Sequence, residues 1–219
     1  LGVAQIANLR YKITMTNFDE RAKDWDSDPQ KVERAYAVAE AIRRTIPLTT
    51  DMSALEYGCG TGLLSFALQA DLGPITLADT SQGMLDVLAE KIAVAGVTNM
   101  RPVKLDLATD PLPAERYQLT YSLLTMHHIQ DTQDILRKFH ALLEPGGILL
   151  VADLDQEDGT FHTDGTTDIH LGFARTELQR QAEAAGFGEV AFTTAVVLHK
   201  KVDDVEKAFP IFLMSTRKN

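Results

Sequence analysis

Residues 54–62 read "ALEYGCGTG", an apolar run that ends in three glycines within five positions. Each glycine in an ordered segment costs conformational entropy, so a cluster implies a tight turn or a ligand pressed against backbone. The run that enters it, "SALEYG" (53–58), has the length and character of a buried strand. Behind it, Leu63, Leu64, Ala67 and Leu68 recur on one helical face. Strand, glycine turn, helix is the unit from which the rest of the chain is read.

The unit repeats downstream. "PITLAD" (74–79) predicts a second strand, and Ser81 caps a helix carrying Met84, Leu85, Leu88 and Ile92. "MRPVKLDL" (100–107) predicts a third, with Pro102 fitting a strand start or a sheet edge. "YQLTYSLLT" (117–125) predicts a fourth, followed by a helix marked by Ile135, Leu136, Phe139, Leu142 and Leu143. "EPGGILLVADL" (144–154) turns at Gly146–Gly147 into a buried fifth strand. Upstream, Asp28 and Pro29 open a helix whose Val32, Tyr36, Ala39 and Ile42 keep a period near 3.6. Near the end come a polar loop (155–173) and a helix with Thr176 and Gln179 as a capping box and Gly186 as its stop. Two apolar segments then follow (189–199 and 208–216), with Lys200–Lys207 between them.

Strand–helix alternation of this kind predicts an α/β fold. The expected form is a single Rossmann-like, doubly wound, mostly parallel sheet with helices on both faces and an antiparallel C-terminal strand pair. Residues 1–27 are expected to form an N-terminal arm able to serve as a lid, and 28–219 a single domain.

With 219 residues and 45% apolar content the chain can build one substantial core. Its 21 basic and 31 acidic residues give a formal net charge of −10, which argues against a nucleic-acid partner, since phosphate binding draws on clustered Lys and Arg. A lone Cys59 excludes an internal disulfide and multi-cysteine metal centres. No apolar run suggests a membrane span, and "LGVAQIANLRYKITMTNF" (1–18) lacks the pattern of a signal peptide. The expected location is the cytoplasm; monomer and homodimer are not distinguished.

Open α/β sheets bind ligands beyond the carboxyl ends of their strands, and the polar residues gather there. The first strand ends in Gly58–Cys59–Gly60, the second in Asp79, the third in Asp106. The fourth runs into Thr125–Met126–His127–His128, the fifth into Asp153 and Asp155. A phosphate-binding P-loop is excluded, because no lysine follows the glycines. A dinucleotide fingerprint fits poorly, since position 63 is leucine and the third glycine comes early, at 62.

At this point the chain resembles the class I S-adenosylmethionine-dependent methyltransferases. The matching stretches are "LEYGCGTG" (55–62), "LADTSQGML" (77–85), "KLDL" (104–107), "SLLTMHHIQD" (122–131) and "LLEPGGILLVAD" (142–153). Within that superfamily they look most like the small-molecule branch related to quinone-biosynthesis methyltransferases. The resemblance implies methyl transfer from S-adenosylmethionine to a small-molecule acceptor, with S-adenosylhomocysteine as product. It places the methionine end of the cofactor on Gly58, Cys59 and Gly60, with Glu56 organising the turn or facing the ammonium. It puts the ribose on Asp79 beside Thr80, and the adenine against Met84, Asp106 and the Leu107 backbone. Thr125 borders the same site, and Trp25 with Phe18 can close over it, an aromatic face near the sulfonium.

An acceptor that must lose a proton needs a base, and His127, His128, His162 and His170 are the candidates. The plainer readings of these residues are solvated or structural histidines, strand-end caps for the aspartates and a core aromatic for Trp25. Four histidines without ligand spacing give no metal signature, so no metal is expected. Two other functions share the glycine turn: a non-catalytic S-adenosylmethionine-binding sensor or partner subunit, and a NAD-dependent dehydrogenase.

Overall fold

The computed structural model describes residues 18–162 and 168–219. Five parallel strands form its centre: β1 (Ala54–Tyr57), β2 (Ile75–Asp79), β3 (Met100–Lys104), β4 (Tyr117–Leu123) and β5 (Leu143–Leu154). A hairpin of β6 (Ala191–Val202) and β7 (Val205–Arg217) completes the sheet, with β7 antiparallel to β5. The order is β3-β2-β1-β4-β5-β7-β6. Strand order reverses between β1 and β4, so the crevice where doubly wound sheets hold ligands opens above those two strands. Pro102 lies on edge strand β3, where its missing N–H costs no ladder bond.

Side chains alternate between the two faces along each strand and bury on both. Ile148, Leu150 and Ala152 of β5 join one core with Ala54, Leu77 and Tyr121. Helices α1 (Pro29–Thr45), α2 (Leu63–Leu68) and α3 (Gln82–Ala95) close that face through Val38, Ile42, Leu64, Leu68 and Leu88. Leu149 and Val151 point the other way, into a second core with Leu55 and Phe212. There α4 (Thr132–Leu142) and α5 (Arg175–Ala184) supply Ile135, Leu136, Phe139, Leu178 and Ala182.

The helix starts follow local chemistry. Asp28 accepts the Gln30 N–H at 3.0 Å with Pro29 in the first turn, and Ser81 accepts the Met84 N–H at 3.2 Å. Two expectations change. Helix α5 begins at Arg175 behind Ala174, which makes no side-chain cap. Thr176 therefore sits inside the helix and Gln179 bonds Glu183 instead of closing a capping box. The segment 200–207 does not separate the two strands: both run through it to a two-residue turn at Asp203 (φ 47) and Asp204 (φ 63). Paired positive φ values are what a tight hairpin with right-handed strand twist demands.

Candidate functional site

The glycine turn is tied down before any ligand is considered. The N–H groups of Gly58 and Cys59 both donate to the Ala78 carbonyl, at 2.8 and 3.1 Å, which locks the end of β1 to the end of β2. All three glycines hold positive φ, a region costly for other residues. Their surroundings differ. A Cβ on Gly58 would fall 2.2 Å from Thr125 Cγ2, and one on Gly62 2.6 Å from Leu88 Cδ1. A Cβ on Gly60 meets only Met84 Sδ, at 4.0 Å. Two glycines thus admit the protein's own side chains, and Gly60 alone leaves its backbone open to a ligand.

Asp79 stands beside Gly60. Its two carboxylate oxygens accept the N–H of Gly60 at 2.7 Å and of Ser81 at 2.8 Å. Burial outweighs these bonds and lifts its pKa above the usual carboxylate value. A carboxylate has about four acceptor sites, so capacity remains for a hydroxyl donor. Thr80 is half-buried in the same turn, and Met84 is buried against Gly60.

Other expected cofactor residues turn inward. Glu56 is buried and accepts the hydroxyl of Ser65, which lies 2.6 Å from the Tyr121 hydroxyl. Burial pushes its pKa up to about 8. Its carboxyl is engaged with Ser65, in the helix that follows the turn. Cys59 is buried, and burial raises its thiol well above the ordinary value, which makes it unreactive. Thr125 underpins the turn, with its hydroxyl 3.3 Å from the Gly58 carbonyl. Asp106 uses its carboxylate on the Ala108 N–H and the Thr109 hydroxyl. Leu107 is corrected as an adenine reader: it is fully buried, and its N–H is taken by the Tyr57 hydroxyl at 3.0 Å.

The N-terminal arm, as far as it is described, packs on this site; residues 1–17 lie outside the described part. Asp19 accepts the Ser81 hydroxyl at 2.5 Å and the Gly83 N–H at 2.8 Å. Asp26, in the 3-10 turn Ala22–Ser27, bonds the Thr61 hydroxyl and the Lys91 ammonium. Two cations lie at the Trp25 ring, Lys31 Nζ 3.9 Å and the Arg21 guanidinium 5.4 Å from its centroid. Phe18 touches both Trp25 (5.9 Å) and His128 (5.5 Å) edge-on.

The chain leaves β4 through Leu124, whose φ of 51 is strained for a leucine. That bend carries His127 under the sheet end against Asp153. Both are essentially fully buried, at 1% and 0% exposure, and His127 Nδ1 lies 2.7 Å from Asp153 Oδ1. Burial drives the Asp153 carboxyl up, but the His127 ring and the N–H groups of Leu154 and His127 outweigh it. They hold the carboxyl below its usual value. On its other side His127 Nε2 faces His162 Nε2 at 3.1 Å. The rings of His127 and His128 are 4.1 Å apart, and those of His128 and His162 5.5 Å.

Three of the four expected histidines are therefore one cluster. His170 is not part of it: its ring Nε2 bonds the carbonyls of Ile129 and Gln130, and its N–H donates to the His127 carbonyl, so it braces the loop. Asp153, to which sequence reasoning gave no role, is the buried partner of this cluster. Its one signal is an acid inside the apolar run "ILLVADL" (148–154). Asp19 and Asp26 gave no signal at all.

A doubly wound sheet of order 3-2-1-4-5-7-6, an open glycine turn after β1 and an acid at the end of β2 define the class I S-adenosylmethionine-dependent methyltransferase fold. Residues 54–147 match the family model described as "Methyltransferase domain". It is similar to an uncharacterised methyltransferase of Schizosaccharomyces pombe, 35% identical over 118 residues, covering 51% of this chain and 42% of that protein. A ubiquinone biosynthesis O-methyltransferase of Coxiella burnetii is 25% identical over 148 residues, covering 66% of this chain and 63% of its own. The chain thus spans roughly half of the curated relatives it matches. Among solved structures, a SAM-dependent methyltransferase from Thermotoga maritima superposes with a TM-score of 0.68 at 18% identity, over 92% of this chain and 98% of that one.

Proposed function

We propose that this chain transfers a methyl group from S-adenosylmethionine to a small-molecule acceptor and releases S-adenosylhomocysteine. The observation that carries the reading is the pairing of an open Gly60 backbone with Asp79, 2.7 Å from its N–H, beside Met84. When bound, the cofactor supplies an electrophilic methyl on a sulfonium, which needs no further activation. The chain's task is to hold the acceptor in line with the S–CH3 bond and to exclude water. Asp79 suits the ribose hydroxyls. His162, half-buried, suits the acceptor's departing proton, with its ring fixed by His127 and, behind it, Asp153. The net charge of −10 favours a metabolite over a nucleic acid. Among the described residues no helix is long and apolar enough to cross a membrane, which fits a cytoplasmic setting.

Titration calorimetry with S-adenosylhomocysteine tests the reading. The wild-type chain should bind, and Asp79→Ala should bind about 1–3 kcal/mol more weakly, the cost of a lost charged acceptor. Wild-type affinity in that variant would remove Asp79 from the site. The buried Asp153–His127 pair favours a catalyst over a sensor that binds the cofactor without turnover. Tight binding with no methylation across a broad acceptor panel would favour the sensor.

A further inference from the structure

The geometry points to a divalent transition-metal site, of the kind zinc occupies, formed by His127, His128 and His162. One ligand nitrogen from each ring lies within 4.8 Å of the other two. These three residues come from two separate segments, so their sequence spacing carried no metal signature.

Asp153 is fully buried behind the cluster. Its carboxylate accepts a hydrogen bond from the His127 Nδ1–H at 2.7 Å, which leaves the Nε2 lone pair facing His162. A carboxylate behind a histidine is the arrangement that orients a metal-bound imidazole and raises its basicity. The Nε2–Nε2 separation of 3.1 Å supports the same conclusion. Two nitrogens each about 2.0–2.1 Å from a tetrahedral zinc-sized ion lie roughly 3.3–3.4 Å apart. Opening the pair by about a quarter of an ångström, small against side-chain freedom, admits the ion.

Three neutral imidazoles leave one coordination position open, the pattern of catalytic rather than structural sites. The site sits where the proposed reaction needs a proton removed, and it rests on that reading only for its use. Loaded, the ion takes the lone pairs that otherwise accept the acceptor's proton. It would then lower the pKa of a hydroxyl or thiol bound at the open position, whose proton leaves to solvent. The softness of imidazole favours zinc, copper, nickel or iron over magnesium or calcium.

The test uses tag-free, metal-stripped chain. Zn2+ is titrated by calorimetry and Co2+ by its visible absorption, with S-adenosylhomocysteine binding measured in parallel. The wild type should take one ion. His162→Ala and His128→Ala should each lose at least tenfold in metal affinity while still binding S-adenosylhomocysteine, which also shows that they are folded. Asp153→Asn should lose about 10–100-fold. His199→Ala, on the exposed hairpin, should match wild type. A wild type that takes no ion, or variants at 128 and 162 that bind it as well as wild type, overturns the site. If the nucleoside still binds in that case, the methyl-transfer reading survives. If the ion binds but the nucleoside does not, the metal site stands and that reading falls.

Discussion

Glu56 shows how a single residue can set a property of the whole fold. Sequence reasoning placed it near the cofactor and left its role open. The structure buries it under the turn with Ser65 and Tyr121 and lifts its pKa from 4.5 to about 8. A carboxyl whose folded pKa is raised binds a proton in the native state that the unfolded chain has released. Its stabilising contribution is complete below pH about 4.5 and is lost as pH rises to about 8, at a slope of about 1.4 kcal/mol per unit. Urea unfolding across that window should therefore show stability falling with pH. Glu56→Gln, which keeps the shape and the bond but cannot ionise, should flatten the slope. An unchanged slope in the variant would assign the effect to another group.

At the scale of elements, the glycine turn separates roles that the sequence could not. The motif was legible because three close glycines are unusual, but nothing in "GCGTG" says which faces a ligand. That depends on Thr125 and Leu88, brought in by β4 and α3. Gly58→Ala must meet both a positive φ and the Thr125 side chain, so it should destabilise the fold by about 2–4 kcal/mol. Gly60→Ala should cost the fold about 1–2 kcal/mol, for its φ alone, and should weaken S-adenosylhomocysteine binding. Thermal melts and calorimetry on the two variants should show this reversal. Equal effects on both readouts would refute it. The hairpin gives a second case. Asp203 and Asp204 form the turn itself and occupy positive φ, where glycine is unstrained. Asp204→Gly should raise stability by about 0.5–1 kcal/mol, provided the relief of strain exceeds the added freedom of the unfolded chain. A lower melting temperature would contradict that.

Across the whole molecule, the arm joins the glycine turn to the histidine cluster. Asp19 and Asp26 bind α3 and the glycine turn, and Phe18 bridges Trp25 to His128. Hydrogen exchange over residues 18–28 should slow when S-adenosylhomocysteine is added, since filling the crevice stabilises the elements that hold the arm. Exchange that does not change would place the arm outside the binding unit. By itself, the sequence determined the strand–helix alternation, the two-faced core, the antiparallel ending and the set of polar strand ends. These rest on periodicities of two and 3.6 residues and on turn chemistry, all of which act over a few positions. Only the tertiary structure decided which histidines meet. His127 finds Asp153 across 26 residues and His162 across 35, while His170 turns away to backbone carbonyls. Such contacts depend on how strand ends and loops stack at the edge of the sheet, and no local pattern in the chain encodes that.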